Sequence, residues 1–178
     1  MTGLQKNILI TGPPGIGKTT LIRKIAEALG DFMPCGFITE EIREHGIRKG
    51  FALRSLGGPA SMLAHVDFPG PFRAGRYGVD VHGFEDFLRS VPLTGADTRL
   101  TIIDEIGKME CLSARFRDIV TLLLDSPVPL IATIALRGTG FIEQVKRRHD
   151  ITLVGITEGN RSRLAQDIAE RIRPLLAS

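Results

Sequence analysis

Near the start of the chain, Gly12-Pro13-Pro14-Gly15-Ile16-Gly17-Lys18-Thr19 has the residue types and spacing of a phosphate loop, G-x-x-x-x-G-K-[ST]. Its chemistry would be to hold a polyphosphate. Glycines let the backbone turn its N–H groups inward around an anion, and a following helix adds the partial positive charge of its N-terminus. Lys18 would reach the β- and γ-phosphates as a point charge, and Thr20 would extend the nucleotide contact into the helix. The Thr19 hydroxyl is the expected Mg²⁺ ligand, because this hard cation prefers oxygen. A second cluster lies far along the chain. Asp104 and Glu105 follow the apolar run Leu100-Thr101-Ile102-Ile103. A carboxylate at the C-terminal end of a parallel strand faces the crevice where such sheets bind ligands. Asp104 is placed to hold Mg²⁺ through water, and Glu105 to orient and deprotonate a water for in-line attack on the γ-phosphorus.

Several other residues are weaker candidates. Arg137 follows a strand that should open onto the same crevice, where it would stabilise charge on the γ-phosphate in cis, and Thr133 would sense that phosphate. Arg73 and Arg76, beside Tyr77, would close over the triphosphate or stack on its base. Glu40 and Glu41 should face opposite ways, so at most one points inward. Arg161 is a candidate contact on the base side. His45, His65, His82 and His149 show no ligand spacing and are expected at the surface.

These groups need a scaffold. Residues 7–11 form a short apolar run that stops at glycine and reads as a buried strand. Residues 19–29 have helical apolar spacing and end at Gly30. Residues 36–56 read as a β-hairpin turning at Glu44-His45-Gly46, added at or near one edge of the sheet. Residues 57–83 hold six Gly and three Pro and read as a long surface loop. Helices are expected over 84–91, along Leu112, Phe116, Ile119, Val120, Leu123 and Leu124, and over 140–148. Strands are expected over 99–104, 128–135 and 151–156. Asn160 should cap a last helix that turns Leu164, Ile168, Ile172 and Leu175 inward. Apolar strands alternating with helices predict one α/β domain over residues 1–178, with a mostly parallel sheet covered on both faces.

Composition narrows the class. The chain has 178 residues, 43% of them apolar and 24% charged, which fits a globular protein. Its 23 Lys and Arg against 20 Asp and Glu are too even to indicate nucleic acid, although a nucleic-acid contact stays open. No apolar run is long enough to span a membrane, and Met1 to Lys6 lacks the apolar core of a signal peptide. Cys35 and Cys111 form no framework, which suggests small buried side chains in a reducing, cytoplasmic setting. No heptads are present, and a monomer is expected.

The string Asp104-Glu105-Ile106-Gly107-Lys108-Met109-Glu110 is more specific than the phosphate loop. Together with the loop, the Gly36-to-Arg43 strand, Gly50-Phe51, Gly75-Arg76-Tyr77-Gly78-Val79, the segment from Ser113 to Phe116 and Asn160-Arg161, it resembles the small type 1 nucleoside-triphosphatases over nearly the whole chain. That resemblance implies a three-layer α/β/α, RecA-like P-loop fold with an extra strand between the two phosphate-site motifs. It implies Mg²⁺-dependent hydrolysis of ATP, GTP, CTP and other nucleoside triphosphates to the diphosphate and phosphate. It carries the family's nucleotide contacts onto the phosphate loop and onto Leu100, Thr101, Ile102, Ile103, Asp104, Glu105, Ile106 and Gly107, with Glu105 as catalytic acid.

Two competing functions use the same loop. A nucleotide or polynucleotide kinase would pass the γ-phosphoryl group to an acceptor other than water. A nucleotide switch would bind without turnover. No Asn-Lys-x-Asp string is present to read guanine, and adjacent acids favour hydrolysis over a switch.

Overall fold

The computed structural model describes residues 5–177. In chain order the elements are β1 (Asn7–Thr11), α1 (Lys18–Ala28), β2 (Cys35–Glu44), β3 (Ile47–Ser55), β4 (Ala60–His65), β5 (Arg73–Ala74), β6 (Tyr77–Val79), α2 (Val81–Ser90), β7 (Thr101–Ile106), α3 (Ala114–Asp125), β8 (Leu130–Ile134), α4 (Phe141–Lys146), β9 (Ile151–Gly155) and α5 (Leu164–Leu176). The strands make one nine-stranded sheet in the order β5-β6-β4-β3-β2-β7-β8-β1-β9. The strands from β2 to β9 in that order are parallel, and those from β2 out to β5 are antiparallel. Strand β8 lies between β1 and β7, so one strand separates the two phosphate-site motifs. The three-layer P-loop architecture is thus present.

Alternation along buried strands builds two cores. On β1, Ile8 and Ile10 face α1 and α5, where they join Ile22, Ile25, Ile168 and Ile172. Leu9 faces the other way and joins Phe37, Phe84, Phe116 and Val120, beneath α2 and α3. Phe37 stands edge-on to Phe84 and Phe87 at centroid distances of 6.1 and 5.6 Å. With helices covering both faces, these strands must be apolar throughout, which is why they read as unbroken runs.

Three expectations are corrected. The hairpin is not an edge addition: β2 pairs in parallel with β7, and β3 carries the sheet onward into β4, β6 and β5. Residues 60–65, 73–74 and 77–79 are therefore strand, and the segment looked like a loop because Gly and Pro separate short pieces, β4 turning back on β3 and β5 on β6. Asn160 does not cap α5. Its side chain accepts from the Thr157 N–H at 2.8 Å and donates to the Gly155 carbonyl at 2.8 Å, closing the loop after β9. His65 is mostly buried on β4, its ring 5.9 Å from Phe68, rather than at the surface.

Candidate active site

Strand β1 delivers the chain into the phosphate loop, where Gly15 and Gly17 take φ of 78° and 108°, conformations that side chains resist. Helix α1 then begins at Lys18, and no side chain caps it. Its first i→i−4 bond runs from Leu21 N–H to Gly17 O at 2.9 Å. The N–H groups of Lys18, Thr19 and Thr20 therefore remain for an anion.

Strand β7 brings the acids. Its pairing with β8 steps from Ile103↔Ala132 to Ile106↔Ile134, so β7 carries one residue more than its neighbour. Such a bulge re-aims side chains, and here it holds Asp104 and Glu105 together at the strand end. Both face one cleft of about 1610 Å³ that also takes in Lys18, Thr19 and Thr20.

Three hydroxyls fix Asp104, which is only 1% exposed. Thr19 Oγ1 on α1 donates to Oδ2 at 2.6 Å, and Thr133 Oγ1 on β8 donates to Oδ1 at 2.5 Å. Thr39 Oγ1 on β2 donates to the main-chain oxygen of Asp104 at 2.5 Å. Burial pushes the Asp104 carboxyl above the usual carboxylate range, while Thr133, Thr19 and the Lys18 charge pull it back. Lys18 Nζ donates to Gly12 O at 3.1 Å and lies 4.0 Å from Glu105 Oε2. Burial likewise raises Glu105, opposed by the Lys18 charge and reinforced by Asp104.

The donor set suits a divalent cation that prefers oxygen. Because Thr19 gives its proton to Asp104, its oxygen lone pairs are left for a cation. Among the described residues no group of three or more His, Cys, Asp or Glu could hold a metal ion. A single hydroxyl and one carboxylate leave most of such a cation's coordination to substrate phosphates and water.

A profile of the family described as NTPase matches residues 7–169. The chain belongs to this nucleoside-triphosphatase family. It is 43% identical over 162 residues to nucleoside-triphosphatase THEP1 of Thermotoga sp. (strain RQ2), covering 90% of this chain and 92% of that protein. Its fold is similar to the crystal structure of THEP1 from the hyperthermophile Aquifex aeolicus (TM-score 0.82, 35% identity, 93% of this chain and 98% of that one). It is also similar to the solution structure of a human cancer-related nucleoside triphosphatase (TM-score 0.78, 35% identity, 94% and 97% covered).

Within this family member, the expected residues divide into four groups. Pro14, Gly15, Gly17, Lys18, Thr19, Thr20, Asp104 and Glu105 line the cleft, whereas Gly12, Pro13 and Ile16 shape the loop from outside the lining. Leu100, Thr101, Ile102, Ile103 and Ile106 are fully buried and offer a nucleotide no side-chain surface. They instead hold the strand that carries the acids; Thr101, for example, donates to Leu93 O at 3.1 Å. Arg137, Arg76 and Arg161 are exposed and absent from the lining. Arg76 is committed to the hairpin, donating to Arg48 O and to the Tyr77 hydroxyl.

Glu40 and Glu41 both line the cleft, contrary to strict alternation. Each is engaged by arginines, Glu40 by Arg23 and Arg54 and Glu41 by Arg43 and Arg48. The Arg48 hydrogen bond above all holds Glu41 below the usual carboxylate range. Sequence reasoning missed Thr39, whose relevance depends on the register of β2 beside β7. Arg73 and Tyr77 line the cleft's far wall, but sequence reasoning missed Arg48 there, which stands over Phe51 at 5.3 Å and donates to the Tyr77 hydroxyl at 3.0 Å. Burial raises Tyr77, but the hydrogen bonds and charges of Arg48 and Arg76 outweigh it and lower the phenol. Cys35 and Cys111 are free and half-buried, and burial above all lifts the Cys111 thiol to about 12.

Proposed function

We propose that this chain hydrolyses nucleoside triphosphates to the diphosphate and inorganic phosphate with Mg²⁺. The observation that carries the reading is the meeting of Lys18, Thr19, Asp104 and Glu105 in one cleft, with Thr19 bonded to Asp104 and Lys18 beside Glu105. The N–H groups at the start of α1 and the Lys18 ammonium bind the β- and γ-phosphates and oppose their charge. Thr19 and, through water, Asp104 would hold the cation, which when bound would supply positive charge against that developing on the phosphates. Thr133 and Thr39 keep Asp104 in place. Glu105 accepts a proton from the attacking water, and burial lifts its basicity toward that task.

Base choice is broad in this reading. The amide of Asn160 is spent on its own loop, so it is not free to read a base edge. Among the described residues no helix is long and apolar enough to cross a membrane. The test is phosphate release from several nucleoside triphosphates, with and without Mg²⁺, by wild type and Glu105→Gln. No release from any of them refutes the reading.

One observation favours phosphoryl transfer to an acceptor. The cleft's 1610 Å³ exceeds the ~300–1,000 Å³ usual for a single small ligand, and its far wall carries Arg48, Phe51 and Tyr77. Acceptor-dependent turnover with little phosphate release would establish that reading instead.

A further inference from the structure

Glu110 lies in a short 3-10 turn, Glu110–Leu112, between β7 and α3. It is 5% exposed and yet lines the cleft. The turn is firmly held. Cys111 N–H donates to Gly107 O at 3.0 Å, Ser113 N–H donates to Glu110 O at 3.1 Å, and Ser113 Oγ caps α3 by accepting from Phe116 N–H at 3.0 Å. A buried carboxyl so placed normally has a cation beside it. Here the neighbouring cations are committed elsewhere. Lys18 lies against Glu105 Oε2, Arg117 donates to Cys111 O at 2.6 Å, and Lys108 is exposed. The charged groups that act on Glu110 are Glu105 and Asp104, both acids.

Gly107 shows how close the acids come. A Cβ there would sit 2.8 Å from Glu105 Oε1 and 2.8 Å from Glu110 Oε2. The two carboxyls therefore flank Gly107, with Glu105 Oε2 on the side of Lys18 and Glu105 Oε1 and Glu110 Oε2 both beside the glycine. Two like charges cannot share such a place, so one member of the pair keeps a proton and can donate it in a hydrogen bond. Burial above all, then the Glu105 charge, pushes Glu110 up to about 8, which makes Glu110 that member at neutral pH.

We propose that Glu110 is a positioning residue that presents its acid proton across Gly107 to Glu105 and so fixes the direction of the carboxylate that takes a proton from water. The proposal rests on the hydrolytic role given to Glu105. Lys18 is also needed at the phosphates, so Glu110 supplies a restraint on Glu105 that does not compete with nucleotide. A misdirected base is costly, since misplacement by about 1 Å can lower a rate ~100-fold.

Three variants and two controls test this, with kcat and KM from phosphate release and Tm from thermal melting. Glu110→Gln keeps shape and an N–H donor, and its kcat should stay within about threefold of wild type. Glu110→Leu removes the donor, and its kcat should fall about 10- to 100-fold, with KM within about threefold and Tm unchanged or higher. Equal loss in the Gln and Leu variants, or kcat within threefold for Glu110→Leu, overturns the proposal. If Glu110→Leu does not fold, Gly107→Ala decides, because its methyl group pushes the carboxyls apart; kcat within threefold then overturns the proposal. Wild type and Glu105→Gln run alongside. Normal turnover by Glu105→Gln defeats the hydrolytic reading itself, and its loss beside an unaffected Glu110→Leu defeats only this inference.

Discussion

Replacing Glu105 by Gln should move binding and turnover in opposite directions. Glu105 Oε2 is 4.0 Å from Lys18 Nζ, and the two side chains are 32% and 12% exposed. Unit charges at that separation attract by ~1 kcal/mol in bulk water and ~4 kcal/mol at an effective dielectric of about 20. Partial exposure places this pair between those limits. A triphosphate must draw Lys18 from Glu105 and also sit near the negative carboxylate. The amide removes both penalties, so affinity should rise by ~1–2 kcal/mol, a Kd roughly 5- to 30-fold lower. It also removes the proton acceptor, and kcat should fall by ~10²–10⁴-fold. Calorimetric titration with Mg²⁺-ATP gives the first quantity, and phosphate release under saturating nucleotide gives the second. A misfolded variant would lose both. Weaker binding would refute the competition for Lys18, and kcat within tenfold of wild type would move the base elsewhere.

Other positions give further tests. Lys18→Ala should weaken triphosphate binding by ~2–5 kcal/mol, the order expected when one partner of a buried charge pair is lost, and unchanged affinity by calorimetry would contradict its phosphate role. Asp104→Asn keeps an acceptor oxygen for only one of Thr19 and Thr133, turns an N–H₂ donor to the other and lacks the charge, so the Mg²⁺ concentration for half-maximal rate should rise at least ~10-fold; an unshifted Mg²⁺ titration would contradict it. Glu110 is held near 8 in the fold against 4.5 ordinarily, so the unfolded chain sheds this proton first as pH rises. Its contribution to stability is full below about pH 4.5 and is lost as pH rises toward about 8. Glu110→Gln should therefore gain on wild type by up to ~5 kcal/mol between those limits in denaturant melts, and parallel curves would deny the burial effect. Gly36→Ala would place a Cβ 1.7 Å from Ile102 O at a φ of 142° and should cost ~3 kcal/mol or more, whereas Gly30→Ala meets nothing within 4 Å and should be nearly neutral.

The parts legible in the sequence were those written locally. The phosphate loop declares itself through fixed glycines, a lysine and a threonine, and β1, β7 and β8 through unbroken apolar runs that only a doubly covered sheet requires. What stayed hidden depends on register. Strands β5 and β6 are short, β5 having only two residues, Arg73–Ala74, and the pairing that ties their hairpin to the sheet joins residues 64–65 of β4 to 78–79 of β6. The bulge that lets Asp104 and Glu105 share one cleft is a mismatch between β7 and β8, invisible in either strand alone. Thr39 looks like any strand threonine until β2 is laid beside β7. Asn160 bears the type of a helix cap, and its amide closed the preceding turn instead.

Asp104 is where the sheet's two halves are stitched together. Through Thr19 and Thr133 it holds α1 and β8 of the parallel half, and through Thr39 it holds β2, the strand from which the antiparallel wall departs. The seam of the architecture and the seat of the chemistry coincide. Thr19, Thr39 and Thr133 therefore form one mechanical unit, and losing two of them would do harm that is not the sum of the separate losses.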